Sequence, residues 1–255
     1  SAVIGYSDMV QEELEDLGEA ALIADMKKIE SNARHLLGLI NDVLDISKIE
    51  AGRLELEPQT VRMETLTRKL SASFLPSAQK KGLTFNVQTA PGAPESIETD
   101  GLRLEQVLRN FLSNAIKFTD RGEVTMEIRP IASGRMSFTV RDTGPGIAAE
   151  QHDAIFEAFR QADGGISRKF GGTGLGLSIS RELAMLLGGH IRVESAPGEG
   201  SAFTLELPIE FQPGQVTAPA GIEATIRRPA PAPSPAIGRP KPAPVPDDRE
   251  TLSGD

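Results

Sequence analysis

Between Leu22 and Val43, apolar residues return in alternating steps of four and three: Leu22, Met26, Ile29, Ala33, Leu36, Ile40 and Val43. That spacing draws one continuous stripe along an α-helix, the seam by which a helix buries one side against partner helices. Ala2 to Leu17 reads as a preceding helix and Gly18 to Ala20 as the turn, so residues 1–52 form an antiparallel helical hairpin. The hairpin could pack on the rest of its own chain. The expectation is instead a dimeric four-helix bundle, because the seam has no obvious partner surface other than a second hairpin.

Residues 53–211 change pattern and alternate short strands with helices. Strands are expected at Arg53 to Glu57, Leu83 to Gln88, Glu95 to Thr99, Glu123 to Arg129, Arg135 to Arg141, His190 to Ser195 and Ser201 to Leu207. Helices are expected at Arg62 to Lys80, Gly101 to Phe118, Ala149 to Phe156 and Leu175 to Leu187. The late strands are joined by hairpin-length turns such as Pro197-Gly198-Glu199-Gly200, so an antiparallel or mixed sheet with helices on one face is the natural architecture. This is an α+β domain rather than a doubly wound one. From residue 212 to 255 the chain holds ten of its 18 prolines, many separated by alanine, the composition of an extended, solvated linker or tail.

Composition excludes several functions. A net charge of -9 argues against a nucleic-acid partner, whose footprint is a basic patch. The absence of cysteine removes disulfides and thiolate metal sites, and three scattered histidines make a zinc site improbable. No run of about 18 apolar residues and no charged leader is present, so a soluble, cytoplasmic fragment without membrane contact is expected, with an anchor further upstream left open.

Three segments carry chemistry. Gly171 to Ser178, GGTGLGLS, falls one lysine short of a Walker A loop, Leu177 standing at the lysine position. Its glycines precede a helix, where free N–H groups and the positive helix end favour an anion. In the helix Gly101 to Phe118, Asn110, Asn114 and Lys117 stand at i, i+4 and i+7 and share one face, opposite an apolar surface of Leu104, Val107, Leu108, Phe111, Leu112 and Ile116. Amide oxygens suit a hard cation such as Mg²⁺, which also takes phosphate oxygens and water, and an ammonium nearby can neutralise the same phosphates. Asp142-Thr-Gly-Pro-Gly-Ile147 closes a strand, where a carboxylate can accept from an exocyclic amine while the backbone curves around a flat ring. Taken singly, each segment also fits a plain turn or a surface helix.

In order, NFLSNAIKFT, DTGPGI, IFEAFRQAD, GGTGLGLS and GEGSAFTLELP resemble the N, G1, F and G2 boxes and the closing strand of the two-component sensor histidine kinases. These belong to a wider ATP-binding superfamily with gyrase, the Hsp90 chaperones and the MutL proteins. The resemblance spans about Ile4 to Pro208, with INDVLDISKIEAG similar to the end of a dimerisation hairpin. It implies a two-layer α/β sandwich of that superfamily's type over residues 53–211, behind the hairpin of residues 1–52, with ATP and Mg²⁺ as ligands. Asn114 would bind Mg²⁺, with Asn110 supporting the metal; Asp142 would contact the adenine amine; Gly144, Gly146 and Ile147 would shape the base pocket. Lys117 and the backbone of Gly172, Thr173, Gly174, Leu175, Gly176 and Leu177 would hold the phosphates, and Arg160 or Gln161 would approach the γ-phosphate. Implied partners are a second copy of the chain and a response regulator or fused receiver domain.

Two departures carry information. Where ATP-hydrolysing relatives place a water-activating glutamate the chain has Asn110, which lacks a basic carboxylate, so transfer to another acceptor is favoured over hydrolysis. The phospho-accepting histidine of the resembled family lies in H-E-x-x-[TN]-P, and no such segment is present. His35, His152 and His190 stand in other contexts; His35 reads as structural or solvated, and His152 and His190 as structural. Two alternatives stay open: a kinase core cut just after its acceptor, which is the expectation, or a non-catalytic ATP-sensing dimerisation module.

Overall fold

A computed structural model of the chain describes residues 5–7, 9–10, 14, 20–157 and 174–211. Most of the stretch expected as the first hairpin helix, the segment with Arg160, Gln161, Gly172 and Thr173, the proline-rich tail and the side chain of His35 lie outside the described residues.

The seam lies on one long helix, α1 (Ala20–Glu50), of 31 residues. Leu22, Ile29, Leu36, Ile40 and Val43 are 48 to 58 % exposed along it. The helix closes on Gly52, whose φ of 63° is left-handed; the N–H groups of Gly52 and Arg53 donate back to the carbonyls of Ile49 and Lys48.

The strand expected over Arg53 to Glu57 does not form. Its alternation is real, since Leu54 and Leu56 turn toward the core, but the Glu57 N–H donates to the Asp100 carboxylate at 3.0 Å instead of to a strand. Pairing begins only at β1 (Gln59–Arg62), and α2 (Met63–Lys81) and β2 (Thr84–Thr89) follow. β3 (Ser96–Thr99) pairs antiparallel with β1 and leads into α3 (Gly101–Phe118). Asp100 caps α3, accepting from the N–H groups of Leu102 and Arg103 at 3.0 Å each.

The remaining elements are β4 (Glu123–Ile131), β5 (Arg135–Asp142), α4 (Gly176–Leu186), β6 (His190–Ala196) and β7 (Gly200–Pro208). They build a five-stranded mixed sheet in the order β2-β4-β5-β7-β6. Only β2 and β4 run parallel, and the connection between them carries β3 and α3, the crossover that parallel neighbours require. Successive side chains of a strand point to opposite faces. Val124, Met126 and Ile128 of β4, Met136, Phe138 and Val140 of β5, and Phe203, Leu205 and Leu207 of β7 are therefore one buried face in register. Against it pack Leu66 and Leu70 of α2, Leu104, Leu108, Phe111 and Leu112 of α3, and Ile179 and Leu183 of α4. Burying that one face leaves Arg129, Arg141, Arg192 and Glu194 on the exposed side, which makes two layers.

A helix was expected over Ala149 to Phe156; the chain there makes two single 3₁₀ turns, Ala149–Gln151 and Ala154–Phe156. Their i→i+3 bonds tighten the segment enough to deliver Phe156 into the core, edge-on to Phe203 at 6.5 Å.

Candidate functional site

Asp142 continues the inward row of β5 by one step: Met136, Phe138, Val140, Asp142. The alternation that fills the core thus ends by placing a carboxylate on the helix side of the sheet, only 7 % exposed. Burial pushes its carboxyl above the ordinary aspartate value, partly offset by hydrogen bonds from the backbone of Gly144 and Ser201 and by the charge of Arg141. The Gly144 N–H donates to Oδ1 at 2.8 Å. A Cβ on Gly144 would stand 2.8 Å from that oxygen, 3.2 Å from the Phe118 carbonyl and 3.3 Å from Thr119 Oγ1, so the strand end and the C-terminus of α3 close around one spot. Thr119 Oγ1 is buried there without a hydrogen-bond partner.

Gly146 has a different task. Its φ is 71°, and a Cβ would lie 1.9 Å from the Ala196 carbonyl oxygen, so the loop presses directly on the β6–β7 hairpin. The Ile147 N–H donates to Ser195 Oγ at 2.8 Å, and that hydroxyl donates to the Gly200 carbonyl at 2.8 Å. Ser201, 2.9 Å from the same oxygen, is then left to donate to it. The loop is riveted to the sheet.

Along α3 the polar face is half-buried while the opposite face fills the core. Asn110 Nδ2 donates to Ser180 Oγ of α4 at 2.9 Å, and Asn114 Nδ2 lies 3.4 Å from Asn110 Oδ1. A Cβ on Gly176 would sit 2.5 Å from Asn110 Oδ1, which is why the first residue of α4 has no side chain. Lys117 lies one turn nearer the end of α3; burial lowers its pKa, and its Nζ stands 4.9 Å from the Phe118 ring centroid. From Asn110 to Thr119 the helix rises about 13 Å. The Asp142 end and the Gly176 end of the site are separated by that span.

Of the loop before α4, Gly174 adopts a φ of 70°, Leu175 is buried and Leu177 packs against the core. Among the described residues no group of three or more His, Asp or Glu side chains could hold a metal. The donors on this face are amide oxygens, which fit Mg²⁺ in the mode that keeps waters and phosphate oxygens rather than a carboxylate cage.

Residues 99–210 match the family of histidine kinase-, DNA gyrase B- and HSP90-like ATPases. The sensor histidine kinase RcsC of Salmonella typhimurium is 39% identical over 207 residues, 81% of this chain and 21% of RcsC. This chain is a homologue of the sensor histidine kinases. The sensor histidine kinase GacS of Pseudomonas protegens is 42% identical over 183 residues, 70% of the chain and 20% of GacS. Full-length ShkA, solved in complex with AMPPNP, superposes with a TM-score of 0.66 at 35% identity, covering 76% of this chain and 40% of ShkA. The chain spans about a fifth of the length of the curated relatives it matches.

In this kinase homologue, Asn110, Asn114 and Gly176 come together beside the middle of α3, and Asp142 and Gly144 at its C-terminal end; Leu177 packs on the core, and Arg160, Gln161, Gly172 and Thr173 lie outside the described residues. Sequence reasoning missed Ser180, Ser195, Thr119 and Lys81. Lys81 Nζ donates to the carbonyls of Ile116, Lys117 and Thr119 at 2.8 to 3.0 Å, capping the C-terminus of α3 with a cation. Serines and a lysine carry no motif, and only their distances reveal them. No helix among the described residues is long and apolar enough to cross a membrane.

Proposed function

We propose that this chain is the catalytic core of a sensor histidine kinase, which binds ATP with Mg²⁺ and transfers the γ-phosphoryl group to a histidine of a dimerisation hairpin, for relay to a response-regulator aspartate. The observation that carries the reading is the arrangement along α3: a buried carboxylate beside a side-chain-free glycine at its C-terminal end, and paired amides beside the start of α4 at its middle. AMPPNP bound by the homologous ShkA supports an adenine nucleotide as the ligand.

In this reading Asp142 accepts from the adenine amine and Gly144 leaves room for the flat ring, while Gly146 shapes the pocket by letting its loop turn onto the β6–β7 hairpin, with Ile147 against the ring. Lys117 and the N–H groups of Gly174, Leu175, Gly176 and Leu177 hold the phosphates, joined by Gly172, Thr173 and Arg160. Asn114, with Asn110 behind it, would hold Mg²⁺, which when bound offsets phosphate charge. The protein positions and neutralises, and the acceptor imidazole attacks in line. Asn110 offers no carboxylate to activate water, and its Nδ2 is committed to Ser180, so transfer is favoured over hydrolysis.

The exposed stripe of α1 supports a homodimer through paired hairpins. We place the chemistry in the cytoplasm, where ATP is supplied.

The test is labelling. The chain is mixed with γ-labelled ATP, Mg²⁺ and a separate hairpin bearing an intact acceptor histidine; label is expected on that histidine. Bound nucleotide with no transfer would overturn the kinase reading in favour of an ATP-sensing module.

A further inference from the structure

We propose that Ser180 is a positioning residue for the metal-binding amide, sending a one-way chain of hydrogen bonds through Asn110 that presents Asn114 Oδ1 as a free oxygen donor. The inference rests on the assignment of Mg²⁺ to Asn114.

Ser180 Oγ lies 2.9 Å from the carbonyl of Gly176, one turn back in α4, and 2.9 Å from Asn110 Nδ2 across the gap to α3. A carbonyl only accepts, so the single hydroxyl proton goes to Gly176. The hydroxyl oxygen can then only accept, and Asn110 must turn its Nδ2 toward it. The opposite end of that amide, Oδ1, is thereby directed at Asn114, whose Nδ2 stands 3.4 Å away. Asn114 spends its nitrogen on this contact and keeps its oxygen for a cation.

The direction matters because the two ends of a primary amide are nearly the same shape and opposite in polarity. A flipped Asn114 would face the cation with two N–H groups, which repel it. Nothing in the asparagine side chain itself prevents the flip. Ser180 does, because its hydroxyl, 2 % exposed, has its own proton fixed by a backbone carbonyl that cannot rotate. The polarity of the site is therefore set by the α4 backbone and carried across to α3.

The test compares Ser180→Thr and Ser180→Val, side chains of the same shape that differ only in the hydroxyl, with Ser180→Ala and Asn114→Ala alongside. Affinity for a fluorescent ATP analogue is measured in Mg²⁺ and in chelator, with thermal unfolding of each variant. The relay predicts that Ser180→Val and Ser180→Ala keep the chelator affinity within about twofold of the parent. Their Mg²⁺-dependent gain falls on the order of tenfold, the scale of losing a supporting partner of a metal ligand. Ser180→Thr retains the gain. Equal Mg²⁺ gain in the Thr and Val variants overturns the relay while leaving Asn114 as the ligand. A parent protein with no Mg²⁺ gain, indistinguishable from Asn114→Ala, overturns both the ligand and the relay.

Discussion

The carboxylate of Asp45, near the end of α1, and the guanidinium of Arg103, in the first turn of α3, meet at 2.9 Å with both side chains largely buried. Gln106 closes the group, donating to the same Asp45 oxygen at 2.9 Å and accepting from Arg103 at 2.8 Å. Ile46 and Ile49 of α1 pack against the domain core alongside it. α1 is thus held to the helix that carries Asn110 and Asn114, at the opposite end from Lys117. Removing one partner strands a charge that has left water, so Asp45→Ala or Arg103→Ala should each cost about 1–3 kcal/mol. A double-mutant cycle by chemical denaturation should return a coupling of about 1 kcal/mol or more. Nucleotide affinity should be unchanged, and additive single effects would show the bond to be incidental.

Asp142 has its folded pKa raised by burial. In the window between the unfolded and the folded value, the folded state binds more protons, so stability falls as pH rises through it. Above that window the ionised, buried carboxylate is a cost to the free domain. Asp142→Asn should therefore raise the melting temperature of the free domain at neutral pH, and the difference from the parent should shrink as pH falls through the raised value. The same variant should lose about 10–100-fold in adenine nucleotide affinity, because an amide cannot replace a charged acceptor. Calorimetry across pH, with and without nucleotide, reads both effects.

Lys117 titrates in the opposite sense. Burial lowers its pKa, so the free domain loses this charge at a lower pH than an exposed lysine would. ATP binding favours the charged form and should take up a proton as pH rises through that lowered value, with affinity falling there. Adenosine binding should show no such decline, and Lys117→Arg should make ATP affinity flat over the same range, since a guanidinium stays charged. Isothermal titration in two buffers of different ionisation enthalpy measures the uptake.

The inward row of β5 and the polar face of α3 were legible in the sequence because both are periodic. A period of two carries Met136 to Asp142, and a step of four followed by three carries Asn110 to Lys117. The displaced strand at Arg53 to Glu57 shows where periodicity misleads: Leu54 and Leu56 do turn inward, yet a strand also needs a partner, and the Asp100 side chain had already taken the Glu57 N–H. Residues 149–156 were missed for a related reason. A helical composition there yields to the need to seat Phe156 on Phe203. Ser180, Ser195 and Lys81 act through contacts 35 to 70 residues distant in the chain, and no local pattern encodes those.

Gly146 and Gly176 both lack room for a side chain, and the two should fail differently. At Gly146 an added methyl meets the Ala196 carbonyl at 1.9 Å and requires a left-handed backbone, φ 71°, that other residues resist. Neither obstacle can rotate away, so Gly146→Ala should destabilise the whole domain by roughly 2–5 kcal/mol, combining backbone strain with overpacking. At Gly176 the helix backbone is ordinary and the obstacle is the Asn110 amide at 2.5 Å, a side chain that can swing aside. Gly176→Ala should therefore unfold within a few degrees of the parent while the displaced Asn110 takes Asn114 out of register. Its nucleotide affinity in chelator should survive better than its gain from Mg²⁺. Thermal unfolding and nucleotide titration on the same two variants separate a glycine that the fold requires from one that the site requires; equal losses of stability would refute the distinction.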